Sequence, residues 1–108
     1  MSDHVFDKQR WQAQSVAWQM GNIGSEVGRA LRAKRSAKQK DATAAFYRGL
    51  DLIDATTEGM LAQKSPRVKE VLRAREEFCR AIVTDREDPT LEQYFTQFAI
   101  AERMRTGR

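Results

Sequence analysis

Cysteine and histidine each occur once in 108 residues, as Cys79 and His4, and proline only twice. One cysteine permits no disulfide within the chain, and with a single histidine it leaves no ligand set for a structural zinc site. Di-iron bundles need Glu-x-x-His pairs on two helices, so that chemistry is excluded as well. No cofactor and no metal are expected. His4 is too isolated to serve Cys79 as a base, and Cys79 lies on an apolar stripe where it acts as a small hydrophobe. Long apolar runs are also missing: no window approaches the roughly 18 residues of a membrane span. The first ten residues carry Asp3, His4, Asp7, Lys8 and Arg10 instead of the apolar core of a secretory signal. A cytoplasmic protein that stays off the membrane is the expectation.

Strong helix formers are plentiful. Ala, Leu, Met, Glu, Gln, Lys and Arg make up 59 of the 108 residues, against 8 Gly and Pro together. The chain reads as all-α, and its length allows one domain over 1–108, with 1–10 expected to fray. Large apolar residues number only 30, a thin supply for a core. That shortage points to a homo-oligomer or a protein partner that covers an apolar face. Trp11, Trp18, Tyr94 and Phe98 are the aromatics a single small bundle would leave open.

Four apolar stripes follow the helical period. Val16, Met20, Ile23, Val27, Ala30 and Leu31 form the first, in a segment from Phe6 to Ser36 that would be ~45 Å long unless it breaks at Gly21-Asn22. Asp41 is expected to cap a second helix bearing Phe46, Leu50, Ile53, Thr57, Met60 and Leu61. Ser65-Pro66 announces a third, with Val68, Val71, Leu72, Phe78, Cys79 and Ile82. Asp88-Pro89 announces a fourth, with Leu91, Tyr94, Phe95, Phe98 and Ala101. Four amphipathic helices joined by short loops predict an antiparallel up-down-up-down four-helix bundle.

Three features invite a role. Gly21, Gly24 and Gly28 leave one side of the first helix bare, which suits the close approach of another helix. Their spacing matches neither a P-loop nor a dinucleotide fingerprint. Arg75 interrupts the third stripe where an apolar residue is expected, so a buried ion pair with Glu26, Asp51 or Asp54 is predicted, with an anion site as the alternative. Asp51, Asp54 and Glu58 otherwise read as a solvated acidic face.

The net charge of +4 supplies an electrostatic footprint for nucleic acid but no reading motif. The cluster Arg29, Arg32, Lys34, Arg35, Lys38 and Lys40 should be neutralised in part by Asp85, Glu87 and Asp88 of the third loop. A basic patch of Lys64, Arg67, Arg103, Arg105 and Arg108 at the opposite end is the better place for a phosphate backbone.

The segments WQMGNIGSEVGRAL (18–31), AFYRGLDLIDAT (45–56), VLRAREEFC (71–79) and YFTQFAIAER (94–103) resemble an uncharacterised family of small all-helical bacterial and archaeal proteins that share a G-N-I-G-S-E-V motif. The resemblance implies a helical bundle and no mechanism. More distantly, the shape resembles the helical-bundle partners of minimal nucleotidyltransferases. The ribonuclease members of that group place a histidine four to six residues after an arginine, and no arginine here precedes any histidine. The expectation is a non-enzymatic module acting through protein–protein contacts. The alternative is a nucleic-acid-associated accessory protein.

Overall fold

The computed structural model describes residues 6–84 and 89–107. Within them the chain forms five α-helices and no strand: α1 (Lys8–Gln12), α2 (Val16–Arg35), α3 (Gln39–Ala62), α4 (Val68–Val83) and α5 (Pro89–Arg105). The first predicted helix is broken, but not at Gly21-Asn22. The break falls at Ser15, whose extended backbone and hydroxyl, accepting from Trp18 N–H at 3.0 Å, start α2 afresh. From there α2 runs through the glycines without interruption. Asp7 caps the short α1 in the same way, accepting from Arg10 N–H.

Other boundaries also move. Lys38, not Asp41, occupies the N-cap position of α3, and no side chain caps that end. Asp41 lies in the first turn, where a carboxylate complements the helix dipole. Both long helices before a turn close on a left-handed residue other than glycine, Ala37 after α2 and Lys64 after α3. In each case the next N–H reaches back to a carbonyl in the last turn, Lys38 N to Ala33 O and Ser65 N to Met60 O. Ser65 stands before a turn, its hydroxyl accepting from Arg67 N–H, and α4 begins only at Val68. Pro89 opens α5, while Asp88 lies outside the described residues.

The central element is α2, which packs chiefly on α3 and α5 and also touches α4. Met20, Ile23, Val27 and Ala30 are completely buried and meet Ile53 of α3, Phe78 and Val71 of α4, and Phe95, Leu91 and Phe98 of α5 in one core. Three predicted core positions are exposed: Leu61, Leu72 and Ala101. The aromatics expected to remain open are packed. Trp11 and Phe98 are buried, and Trp18 and Tyr94 are half-buried against the same core. Among the described residues the apolar side chains left outside are Tyr47 and Leu61 of α3, Val83 of α4 and Met104 of α5, with Phe6, Leu72 and Ile100 less open.

Polar contacts tie the ends. Ser15 at the start of α2 donates to Glu102 near the end of α5, and Arg35 at the end of α2 meets Glu92 near the start of α5. Lys34 extends its ammonium to the carbonyls of Ala81 and Thr84, capping the C-terminus of α4 where a cation complements the dipole.

Candidate functional site

Arg75 pairs with Asp54, one of its three expected partners, through Nε at 2.8 Å and Nη2 at 3.4 Å. The hydrogen bond to Asp54 raises the guanidinium pKa further. The pair is not buried, which corrects the expectation: the two side chains are 35% and 57% exposed. Arg75 stands at the margin of the α4 stripe, half-buried, where a guanidinium can stay in reach of water. Glu26 and Asp51 are not its partners. Glu26 instead bridges Arg29 at 3.0 Å and Arg48 of α3 at 3.3 Å, and Asp51 is exposed with no ion pair among the described residues. Arg75→Met is therefore expected to cost only ~0–1 kcal/mol, far less than a buried pair would. Urea midpoints of the two proteins check this.

The three glycines divide. A Cβ on Gly24 would lie 2.6 Å from Phe95 Cβ, and one on Gly21 would touch Ala99 of the same helix at 3.4 Å. Here α5 crosses α2 closely. At Gly28 the nearest neighbour is a side chain of α2 itself. A Cβ there would lie 2.9 Å from the tip of the Arg32 side chain, and that tip can swing away. Gly24→Ala is expected to destabilise by ~1–3 kcal/mol through overpacking. Gly28→Ala should be neutral or stabilising by up to ~1 kcal/mol, the helix-propensity gain. Thermal unfolding of both variants tests the contrast.

Between α2 and α5 these small residues leave an open groove of about 310 Å³, lined also by Ser25, Arg29, Arg32, Glu92 and Thr96. Toward the start of α2 it continues past Ala17, Asn22 and Glu102, sharing Gly21, Ser25 and Ala99. At Arg29 and Arg32 it meets a second groove, about 280 Å³, between α2 and α3.

Of the expected basic patch, Lys64 and Arg103 are exposed, and Arg108 lies outside the described residues. Arg67 is engaged: its guanidinium stacks over the Phe98 ring at 5.2 Å and faces Glu70 at 3.7 Å. Glu70 also accepts from the Tyr94 hydroxyl at 2.8 Å, and burial together with this bond raises the phenol pKa well above its ordinary value. Arg105 is bound to Glu102 at 2.7 and 2.9 Å.

This bond and the Ser15 hydroxyl hold the Glu102 carboxyl below the usual carboxylate range. A carboxyl lowered in the folded state adds stability above its unfolded pKa, and that contribution disappears as pH falls through the folded value. The stability gap between the native chain and Arg105→Gln is thus expected at pH 7 and should close on acidification; parallel denaturation at both pH values checks it. At the other end, Lys34, Arg35 and Arg29 are engaged as described, and Arg32 and Lys38 have no carboxylate partner among the described residues. The loop acids Asp85, Glu87 and Asp88 that were expected to neutralise this cluster lie outside the described residues.

One network had no sequence signal. Trp11 Nε1 donates to Thr56 Oγ1 at 2.9 Å, Thr56 donates to Gln19 Oε1 at 2.8 Å, and Gln19 Nε2 donates to Gln14 O at 2.9 Å. All three side chains are buried, so each polar atom needs the partner it has. Gln12 adds a bond to Ala55 O and packs its stem where Gly59 leaves room. This chain of bonds fastens α1 to α2 and α3.

Among the described residues no cluster of His, Cys, Asp and Glu is placed to hold a metal, and Cys79 is half-buried and free. No described helix is long and apolar enough to cross a membrane. No family model matches the chain, and neither curated proteins nor solved structures give a match.

Proposed function

We propose that the chain is a non-enzymatic interaction module, its four long helices packed up-down-up-down, which acts in the cytoplasm through protein–protein contacts. What supports this reading is the groove along the outer side of α2. It is open, its two stretches share Gly21, Ser25 and Ala99, and where α5 crosses at Gly21 and Gly24 the exposed Ser25 beside them leaves a shallow surface that a partner can enter. An open trough suits an extended surface better than it suits a small substrate, which is bound by enclosure. The partner is another protein or a second copy of the chain, and membership of the G-N-I-G-S-E-V family belongs to the same reading.

Ser25→Trp fills the trough from an exposed position without entering the core. Capture from a nuclease-treated extract is expected to retain a protein partner with the native chain and to lose it with Ser25→Trp. Sedimentation equilibrium of the native chain alone distinguishes a second copy from another protein. Capture that vanishes on nuclease treatment, or is indifferent to Ser25→Trp, rejects the reading. A nucleic-acid role at the Lys64, Arg67, Arg103 and Arg105 end has less support, because Arg67 and Arg105 already carry partners.

A further inference from the structure

The groove between α2 and α3 has a different character from the trough. Arg29, Arg32, Lys38 and Arg48 line it, and Asp41 is the only carboxylate among its lining residues. Beneath it, Glu26 takes both Arg29 and Arg48, so one negative charge answers two positive ones. Arg32 and Lys38 form no ion pair among the described residues, Asp41 included. Cations gathered this way repel one another, and their repulsion is relieved by an anion that reaches several of them at once. Guanidinium forks are matched in shape to tetrahedral oxyanions, to which they donate paired, charge-assisted hydrogen bonds. The space of about 280 Å³ is open at one side and roomy enough for such a group with a substituent attached.

We infer that this groove is a binding site for a phosphate group. Arg32 and Lys38 supply the free charges, and Arg29 and Arg48 turn from Glu26 to share the bound oxygens. The phosphate comes either on a small molecule or in the backbone of a nucleic acid. Either source is recognised by the same side chains, and the site shares Arg29 and Arg32 with the end of the trough proposed above without requiring that a protein bind there.

The full chain, titrated calorimetrically with inorganic pyrophosphate in a buffer free of other oxyanions, is expected to bind it saturably. Arg32→Gln and Lys38→Gln should each weaken binding about tenfold, the loss of one charge-assisted contact. Neither residue has an ion pair to lose among the described residues, so both variants are expected to keep the fold. Arg103→Gln removes the same charge from the far end of α5 and should leave the affinity unchanged. Glu26→Gln, nearly identical in shape, frees two guanidinium groups and should tighten binding. A single-stranded oligonucleotide gives the second arm. Tighter binding than pyrophosphate with the same dependence on Arg32 identifies a nucleic-acid backbone, and equal or weaker binding identifies a small phosphate compound. No saturable uptake, an unaltered affinity in Arg32→Gln, or an equal loss in Arg103→Gln overturns the site.

Discussion

Trp11→Ala is expected to destabilise the chain by ~3–5 kcal/mol, the usual cost of emptying a buried aromatic site. Trp11 is buried to 8% exposure although it belongs to a helix of five residues. Its ring stacks edge-on to Trp18 at 5.1 Å and lies 5.9 Å from Phe6. So short a helix has no stability of its own, since nucleation is unfavourable and too few bonds follow to offset it. α1 therefore persists through what Trp11 and Gln12 make with α2 and α3, aided weakly by the exposed Lys8–Glu58 pair at 2.9 Å. Removing the indole also takes the donor from Thr56, which keeps its own bond to Gln19.

Trp11→Phe separates the two contributions. It restores much of the apolar contact and loses only the hydrogen bond, so a cost of ~0.5–1.5 kcal/mol is expected. Guanidinium denaturation measures both variants, and tryptic cleavage after Arg10 reports the release of α1 in Trp11→Ala. A loss below ~1 kcal/mol for Trp11→Ala would show that α1 is an appendage and not part of the bundle.

The sequence carried the long helices because their apolar spacing is a property of each segment alone. All of the large α2 stripe positions from Met20 to Leu31 are buried as their period requires. The break before α2 was hidden because Ser15 caps without the acidic residue three positions later that marks a capping box; Trp18 stands there. The end of α2 was legible near Ser36, where the apolar spacing stops, but the left-handed closures at Ala37 and Lys64 were hidden because neither residue is glycine. For Arg75, the period placed it on the apolar stripe but could not give the depth at which the stripe meets solvent. The network of Trp11, Gln19 and Thr56 joins residues 37 and 45 positions apart, which no local pattern encodes. The groove cations had the same difficulty. Arg48 stands alone in its segment, and only the packing of α3 on α2 brings it to Glu26.

Phe78→Ala should cost a similar ~3–5 kcal/mol, for a different reason. Phe78 is completely buried and meets Phe46 edge-on at 5.0 Å. Its ring also rests on Gly49 of α3, where an added Cβ would stand 2.8 Å from Cε2. Glycine inside a helix costs about 1 kcal/mol relative to alanine, so Gly49 is tolerated because the ring needs the space. The two positions are thus coupled, and the sign of Gly49→Ala should depend on what occupies position 78. In the native chain Gly49→Ala forces the rigid ring aside and is expected to destabilise by ~1–3 kcal/mol. With Phe78→Leu the ring edge is gone, and the same methyl group enters vacated space. There it contributes contact and the helix-propensity gain, so Gly49→Ala should become neutral or stabilising. A double-mutant cycle by urea denaturation is expected to give a coupling of ~1–3 kcal/mol, within the range for touching residues. Additive effects at the two sites would mean that the α3–α4 contact does not depend on this fit. Positive coupling would show instead that the aromatic selects the glycine, a dependence that runs between helices and is invisible within either one.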